Sequence, residues 1–264
     1  MAGEPGSLLI VGTGIRPISQ TPPEALAAIQ HADDVFYLAA EPLTSTWLRS
    51  INPGAQSLHG FYAAGKDRRE SYTEMVECVM KPVRQGKAVC FVSYGHPGVF
   101  AYPMHQAVRI ARSEGHRVEM LPGISAEDCL FADLDVDPGT TGCQSFEATD
   151  FLIRRRIFDP TSSLILWQIG VIGVNAYRAE SQIWNRGGLE VLLEVLMLHY
   201  PAEHEVVIYE AAPYFWCEPK IQRTTLKEAL TADVTPLSTM YVPPKEQRPL
   251  DNELLSRLRK TNIA

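Results

Sequence analysis

The stretches YGHPGVF at 94–100 and LPGISAEDCLFADL at 121–134 decide the fold, because each places a glycine–proline turn after a short apolar run. The preceding runs are KAVCFVS (87–93) and HRVEM (116–120), and each turn leads into a helix-like segment. In an open α/β sheet, ligands bind in the crevice at the carboxyl ends of the strands. Two such turns, one strand–helix unit apart, therefore predict a small-molecule cofactor site.

The chain around these turns alternates between strand-like and helix-like segments. We predict strands at 7–11, 34–38, 87–93 and 116–120, and helices at 22–31, 68–84 and 103–114. Thr21, Pro22 and Glu24 have the spacing of a capping box with proline at the first helical position, which predicts where the first helix begins. The alternation predicts an α/β protein with a largely parallel sheet.

The pattern changes after PGIS at 122–125, and we predict a domain boundary near residue 121. Beyond it, we predict strands at 162–168, 205–211 and 236–242, and a helix at 189–200. The tail ends in a short helix with four leucines on one face, namely Leu250, Leu254, Leu255 and Leu258. Because so short a helix is marginal alone, we expect it to dock on another surface. The predicted domains are 1–121, 122–243 and a tail at 244–264.

Composition and charge argue against several classes of protein. The 264 residues are 45% hydrophobic and 21% charged, as in a globular protein with a sizeable core. The net charge of −7 argues against a nucleic-acid partner, which needs a basic face. We identify no membrane-spanning run and no signal peptide. The five scattered cysteines predict neither a disulfide framework nor a metal site, and we expect a cytoplasmic location.

The GTG turn after the first strand is incomplete as a dinucleotide-binding motif. Gly12 and Gly14 begin a GxGxxG pattern, but Pro17 occupies the third glycine position. We therefore interpret the two glycines as a sharp turn beside another strand or a ligand rather than as an NAD site. An edge of a different cofactor pocket stays open as an alternative.

One arginine lies on the apolar stripe of the predicted helix 68–84. The stripe consists of Tyr72, Met75, Val76, Val79 and Val83. Arg68 precedes Tyr72 by four residues, so it shares that face of the helix. Arg68 either extends along its aliphatic stem to solvent or points into a polar cavity, with Tyr62 on the loop before it. The residues alone favour neither interpretation.

The histidines and serines predict no further chemistry. His96 lies within the first turn and His59 lies shortly before Tyr62, but neither has the neighbours that a metal site needs. No GxSxG elbow is present, so hydrolase chemistry is unsupported.

Six motifs, in the order GTG, YGHPGVF, PGISA, WQIG, IYEAAP and STMYVPP, resemble those of the tetrapyrrole methylase-like methyltransferases. The resemblance implies a two-lobed α/β fold that binds S-adenosylmethionine in the cleft between the lobes. The tetrapyrrole branch usually has Gly-Asp-Pro where this chain has Gly95-His96-Pro97. With ISAEDCLFADL and GKDRRESYTEM, this change is more similar to the borosin peptide backbone α-N-methyltransferases, over residues 7–245.

The borosin resemblance implies a set of functional residues. It places the catalytic tyrosines and arginine on Tyr62, Arg68 and Tyr72, and His59 stands where the fungal pattern has a further tyrosine. The positions implied for S-adenosylmethionine are Tyr94, His96, Val99, Phe100, Ser125, Ala126, Gln168, Tyr209, Ala212, Ser238 and Thr239.

These residue types suit methylation of an amide nitrogen, whose lone pair is delocalised into the carbonyl group. The nitrogen must lose its proton, and the resulting imidate oxygen must be stabilised. Arg68 is a permanent cation and a hydrogen-bond donor, and Tyr62 beside it can complete an oxyanion-hole-like site. Tyr72 becomes a base or positions a water molecule if the nearby cation favours its ionised form, and the two tyrosines could exchange roles.

The resemblance also implies partners. Because RLRKTNIA at 257–264 contains no apolar core-peptide segment, we expect a separate precursor peptide as substrate. We further expect a homodimer, a heterotetramer with two precursors, and a tail helix that clasps the second subunit.

Two rival functions are a tetrapyrrole C-methyltransferase and a non-catalytic scaffold that binds S-adenosylmethionine or a peptide. A precorrin-type substrate tested against a peptide separates the first rival, and single-turnover methyl transfer excludes the second.

Overall fold

The computed structural model describes residues 5–39, 42–178, 183, 185–246 and 248–260. Its first sheet is parallel and has the strand order β3-β2-β4-β1-β5. The five strands are β1 (Ser7–Gly12), β2 (Asp34–Leu38), β3 (Gln56–Ser57), β4 (Ala88–Ser93) and β5 (Arg117–Met120). The four strands predicted in this part of the chain are confirmed, and the short edge strand β3 adds a fifth.

Helices cover both faces of this sheet, which explains why its strands are apolar on both sides. The helices are α1 (Pro23–His31), α2 (Pro42–Ile51), α3 (Arg68–Arg84), α4 (Tyr102–Ser113) and α5 (Ala126–Leu134). Alternate residues of β4 point to opposite faces. Phe91 packs in the cluster that contains residues of α3 and α4, whereas Cys90 and Val92 pack in the cluster that contains residues of α1 and α2.

The start of α1 differs from the predicted capping box. The residue that caps the helix is Pro22, and it makes no side-chain capping hydrogen bond. The Thr21 hydroxyl donates instead to the carbonyl oxygen of Thr13 at 3.1 Å. Thr21 therefore fixes the turn after β1, and the sequence pattern was misleading because a tertiary acceptor lies within reach of the hydroxyl.

Helix α3 begins and packs as its sequence predicts. The Asp67 carboxylate accepts a hydrogen bond from the Arg69 N–H at 2.7 Å, which caps the helix. The stripe residues Met75, Val76, Val79 and Val83 are buried, and Tyr72 is half-buried. The predicted orientation of the helix is therefore confirmed.

A second, mixed sheet has the strand order β6-β7-β10-β8-β9. Its strands are β6 (Cys143–Glu147), β7 (Ser163–Trp167), β8 (Glu205–Glu210), β9 (Lys220–Thr225) and β10 (Thr239–Val242). The remaining helices are α6 (Pro138–Thr141), α7 (Ala148–Ile153), α8 (Arg186–Met197) and α9 (Asn252–Lys260). Strands β7, β8 and β10 and helix α8 were predicted, although β10 begins at Thr239 rather than at residue 236.

The chain divides into two compact units at a different place from the predicted boundary. The first unit comprises Met1–Val136, Gly173–Trp184 and Tyr209–Lys220, and the rest forms the second unit. The first unit continues past residue 121 because α5 makes contacts within it. The Gln20 side-chain amide donates to the sulfur of Cys129 at 3.8 Å.

The predicted tail falls in the second unit and ends at residues 261–264, which lie outside the described residues. Leu250, Leu254 and Leu258 are 76%, 48% and 58% exposed in the single chain. The docking of this tail helix on another surface stays a prediction. Within the described ranges, no helix combines the length and the apolar character needed to cross a membrane.

Candidate active site

The turns after β1, β4 and β5 meet at one edge of the first sheet. Gly14 and Gly95 pair through two backbone hydrogen bonds, of 3.3 and 3.0 Å between nitrogen and oxygen. A Cβ atom on Gly12 would lie 2.1 Å from the Gly95 carbonyl oxygen, and one on Gly123 would lie 3.1 Å from it. The close approach of the backbones requires glycine at residue 12, in keeping with GTG as a sharp turn beside another strand.

Two histidines hold the backbone of Gly98 in the turn after β4. The Gly98 N–H donates to Nδ1 of His96 at 2.9 Å, so this nitrogen carries no proton. Nε2 of His105 lies 2.9 Å from the Gly98 carbonyl oxygen and therefore donates to it. A Cβ atom on Gly98 would lie 3.1 Å from Cε1 of His96, so a side chain there would press on the histidine ring. His96 thus orders the turn on which it lies.

Exposed apolar side chains follow the end of β4. Tyr94, Val99 and Phe100 are 38%, 38% and 51% exposed. Phe100 has a φ of 50°, a left-handed conformation that is uncommon for a bulky residue. Such strain is retained where the surrounding structure imposes it, often at ligand sites. The three residues give this edge an apolar surface of the kind that binds a flat ring.

Ser125 and Ala126 lie at the start of α5, after the turn that follows β5. The Ser125 hydroxyl accepts a hydrogen bond from the Asp128 N–H at 3.3 Å, and the Asp128 carboxylate accepts one from the Ser125 N–H at 2.7 Å. This capping box orders the helix N-terminus, which is the end that favours negatively charged groups.

Tyr209 and Ala212 return to the first unit from β8, and both are buried. The Tyr209 hydroxyl donates to Oδ2 of Asp133 at 2.7 Å. Burial raises the pKa of Tyr209, and the hydrogen bond and charge of Asp133 raise it further. Tyr209 therefore stays protonated, and its hydroxyl anchors α5.

The other three predicted cofactor residues lie in the second unit, where the pairing of β7 with β10 brings them together. The N–H of Ile169, directly after Gln168, donates to the carbonyl oxygen of Ser238 at 3.1 Å. Gln168 has a left-handed φ of 60°. Ser238 and Thr239 are buried, and the Ser238 hydroxyl accepts from the Thr235 N–H at 2.8 Å.

The three predicted catalytic residues converge in the first unit. The rings of Tyr62 and Tyr72 meet edge to face, with their centroids 6.2 Å apart. The two phenols share a hydrogen bond, and the Arg68 guanidinium is near enough to lower the pKa of Tyr62. All three side chains are half-buried, so Arg68 adjoins a polar aromatic cluster in addition to the apolar stripe of α3.

The electrostatics of the cluster favour a protonated Tyr62. Its pKa is raised, mainly by burial and then by the charge and the hydrogen bond of Tyr72. The Arg68 guanidinium opposes this shift without reversing it. Tyr62 is therefore a hydrogen-bond donor at neutral pH, as the oxyanion-stabilising role requires.

Two tyrosines that sequence reasoning missed complete the cluster. Tyr177 stacks on Tyr62 with centroids 4.9 Å apart and an interplanar angle of 19°. Tyr102 lies 5.9 Å from Tyr72, centroid to centroid. Because α4 begins at Tyr102, two residues after Phe100, this contact joins the cluster to the apolar edge after β4. No local pattern distinguishes Tyr177, whereas the position of Tyr102 beside YGHPGVF could have drawn attention to it.

His59 is also part of the cluster, at the position where the fungal borosin pattern has a tyrosine. Its ring meets Tyr62 at 5.5 Å and Tyr177 at 6.2 Å between centroids. The substitution therefore preserves an aromatic ring at this position. Among the residues that the structure describes, no group of three or more His, Cys, Asp or Glu side chains is placed to hold a metal ion.

The fold and these residues define a two-unit α/β protein of the methylase type. The chain belongs to the Tetrapyrrole (Corrin/Porphyrin) Methylases, whose family profile matches residues 7–230. The resemblance seen in the sequence motifs and the predicted fold class are thereby confirmed.

Curated relatives are similar to nearly the whole length of this chain. The methyltransferase/ribosomally synthesized cyclic peptide gymnopeptides precursor of Gymnopus fusipes is 43% identical over 257 residues, which is 96% of this chain and 61% of that protein. The corresponding omphalotin A precursor of Omphalotus olearius is 42% identical over 257 residues, again 96% and 61%. The type III borosin cyclic peptide precursor of Anomoporia bombycina is 42% identical over 258 residues, 96% of this chain and 30% of that protein. The chain thus spans less than two thirds of these relatives.

Solved structures share the fold at low sequence identity. A cobalt precorrin-4 methyltransferase matches with a TM-score of 0.60 and 20% identity, covering 90% of this chain and 94% of its own. The uroporphyrin-III-C-methyltransferase of Thermus thermophilus matches with a TM-score of 0.60 and 16% identity, covering 94% and 99%. At this identity the likeness concerns the fold alone.

Proposed function

We propose that this protein is an S-adenosylmethionine-dependent methyltransferase that methylates backbone amide nitrogens of a peptide. The observation that carries the proposal is the convergence of Tyr62, Arg68 and Tyr72 in one half-buried cluster, with Tyr62 held protonated. Relatives with about 40% identity are named as methyltransferases joined to ribosomally synthesized peptide precursors, which supports a peptide substrate.

The edge of the first sheet fits the cofactor. Tyr94, Val99 and Phe100 offer apolar surface to a flat ring, and Ser125 with Ala126 offers the N-terminus of a helix to a negatively charged group. In the proposal, His96, Tyr209 and Ala212 complete the contacts of the first unit, and the family resemblance implies a cofactor role for Gln168, Ser238 and Thr239. When bound, S-adenosylmethionine supplies an electrophilic methyl group.

The cluster residues supply the two functions that methylation of an amide requires, namely stabilisation of the oxygen and removal of the proton on nitrogen. The Arg68 guanidinium and the Tyr62 hydroxyl donate hydrogen bonds to the amide oxygen as negative charge develops on it. Tyr72, acting as a phenolate, accepts the proton that the nitrogen loses, directly or through a water molecule. With its proton removed and its oxygen held by Arg68 and Tyr62, the nitrogen would be able to accept the methyl group that S-adenosylmethionine supplies, with S-adenosylhomocysteine as the other product.

The proposal extends to the delivery of the peptide. We propose a homodimeric enzyme that acts on a separate precursor peptide, in a heterotetramer with two precursors. The intact mass of the chain and of an added peptide, measured together, separates these arrangements. An increase by CH₂ units on the added peptide supports delivery in trans, and an increase on the enzyme chain contradicts it.

The central experiment compares Arg68→Ala with Arg69→Ala. Arg69 is the exposed neighbour of Arg68 on the same helix and serves as a matched control. Purified protein, S-adenosylmethionine and a precursor peptide are incubated, and tandem mass spectrometry locates each added methyl group. We expect methylation of backbone nitrogens by the wild type and by Arg69→Ala, and a loss on the order of a hundredfold or more in Arg68→Ala.

Three results would contradict the proposal. Equal rates for Arg68→Ala and the wild type would remove the arginine from the mechanism. Methyl groups found on peptide side chains would contradict the backbone position. Methylation of a precorrin-type substrate but of no peptide would favour the tetrapyrrole C-methyltransferase that the low-identity structures exemplify.

A further inference from the structure

A segment from far along the chain pairs with the turn that precedes α3. Asp67 and Ala176 form an antiparallel bridge. The Gly65 N–H donates to the carbonyl oxygen of Tyr177 at 3.1 Å, and the Tyr177 N–H donates to that of Lys66 at 3.1 Å. The Arg68 N–H donates to the carbonyl oxygen of Asn175 at 3.2 Å. The last of these satisfies an N–H group in the first turn of α3, which has no partner inside the helix.

The same segment places a ring on Tyr62. The Tyr177 ring stacks on Tyr62, while Tyr72 meets Tyr62 edge to face at an interplanar angle of 82°. Burial is the main cause of the raised pKa of Tyr62, and Tyr177 adds to it. Tyr62 thus has one stacked aromatic neighbour, Tyr177, and another, Tyr72, that it meets edge to face.

Tyr62 packs against the core cluster of the first unit, but the segment that follows it is exposed. Tyr62 follows a single 3₁₀ turn, His59–Phe61, and precedes Ala63, Ala64 and Gly65, which are all exposed. Gly65 has a φ of 79°, and across this loop the Lys66 ammonium donates to the carbonyl oxygen of Phe61 at 3.3 Å. An exposed loop of this composition orders a side chain poorly unless a tertiary contact restricts it.

We propose that Tyr177 is a positioning residue for methyl transfer, whose ring fixes the orientation of Tyr62 and whose backbone ties that ring to the turn delivering Arg68. The inference rests on the proposed function, because Tyr62 and Arg68 are the oxygen-binding donors of that reaction. A donor displaced by about 1 Å can lower the rate about a hundredfold, so the orientation of Tyr62 matters to catalysis.

The test compares Tyr177→Phe, Tyr177→Leu and Tyr177→Ala in the full chain. Phenylalanine keeps the stacked ring, leucine keeps apolar volume without a planar ring, and alanine removes both. Tyr214→Ala is the control, because Tyr214 also lies in the first unit and loses a comparable stack, on Trp216 at 4.8 Å. Saturating S-adenosylmethionine and a precursor peptide are used, and kcat is separated from KM.

We expect Tyr177→Phe and Tyr214→Ala to keep the wild-type kcat. Tyr177→Ala should lose about a hundredfold in kcat with little change in KM, and Tyr177→Leu should lie between. Thermal unfolding and S-adenosylmethionine binding confirm that each variant is folded. A wild-type kcat in Tyr177→Ala would overturn the inference, and so would an equal loss in Tyr177→Phe, which would assign the effect to the hydroxyl group.

An NMR measurement that does not depend on methyl transfer tests this inference separately from the proposed function. In protein labelled with ¹³C at the tyrosine Cζ, the Tyr62 signal is identified by its disappearance in Tyr62→Phe. We expect this signal to be retained in Tyr177→Phe and to shift and broaden in Tyr177→Ala. An unchanged Tyr62 signal in Tyr177→Ala would overturn the positioning role even if no peptide is methylated, whereas an inactive wild type would refute only the proposed reaction.

Discussion

Replacing Tyr62 with phenylalanine removes one hydroxyl group and leaves the ring contacts of the cluster in place. The stack on Tyr177 and the edge contact with Tyr72 depend on the ring alone. What is lost is the hydrogen bond shared with Tyr72 and the donor proposed for the amide oxygen. The variant therefore separates the chemical role of Tyr62 from its packing role.

The expected effects on stability and on rate differ in size. An intramolecular hydrogen bond contributes about 0.5–1.5 kcal/mol, and because Tyr62 and Tyr72 are half-buried, water can replace part of the loss. A preorganised donor to a developing oxyanion is worth about 2.7 kcal/mol or more, which corresponds to a loss of about a hundredfold in kcat. We therefore expect Tyr62→Phe to unfold nearly as the wild type does and to methylate at least about a hundredfold more slowly.

The pH dependence sharpens this prediction. Because the pKa of Tyr62 is raised above its ordinary value, Tyr62 should remain a donor at least to about pH 10. Its ionisation should then cause no fall in wild-type kcat between about pH 8 and 10. Tyr62→Phe should therefore lower kcat by about the same factor at every pH in this range, because the lost donor is protonated throughout it.

The assay is single-turnover methylation of a precursor peptide across that pH range, with urea unfolding of the same preparations. Two results would refute the reasoning. A Tyr62→Phe variant with the wild-type rate would remove the hydroxyl from the mechanism. A variant whose loss of rate changes with pH across that range, while its stability is unchanged, would show that the Tyr62 hydroxyl ionises there and is not a constant donor.

Three further predictions concern stability, and urea unfolding measures each. Gly12→Ala places a Cβ atom 2.1 Å from a backbone oxygen and should lower the free energy of unfolding by about 1–3 kcal/mol or more. Gly60→Ala, where a Cβ atom would have no neighbour within 4 Å, should leave that free energy unchanged or slightly higher. Equal urea midpoints for the two variants would contradict this prediction. Tyr209→Phe leaves the Asp133 carboxylate without its donor and should cost about 1–3 kcal/mol. Burial raises the pKa of Cys90 to about 12, so stability should fall as pH rises from about 9 towards 12, and Cys90→Ala should flatten that fall.

The first sheet could be predicted because its strands carry apolar residues on both faces. β1, β2 and β4 are apolar runs between turn residues, and α3 has a continuous apolar stripe. The edge strands were less predictable. CQSFE in β6 and KIQRTT in β9 mix polar and apolar residues, and such segments have no period that separates them from loops.

The candidate site was predictable where its residues lie close together in sequence. Arg68 and Tyr72 are four residues apart on one helix, so the sequence places them on one face. The turns after β4 and β5 follow apolar runs, so their meeting at one edge follows from parallel strand order. The hydroxyl of Thr21 shows the limit of such reasoning, since its acceptor is supplied by a tertiary contact.

The role of Tyr177 could not be predicted from the local sequence, for a physical reason. Tyr177 belongs to no regular element, and its importance comes from pairing with a turn far away in sequence. The same holds for Tyr209, which reaches Asp133 only because residues Tyr209–Lys220 return to the first unit. In both cases a distant segment brings a tyrosine into contact with a residue, Tyr62 or Asp133, whose position the local sequence predicts but whose orientation it does not fix. Local motifs therefore predict the candidate catalytic residues. The residues that position them can be identified only once it is known which distant segments of the chain belong to the same unit.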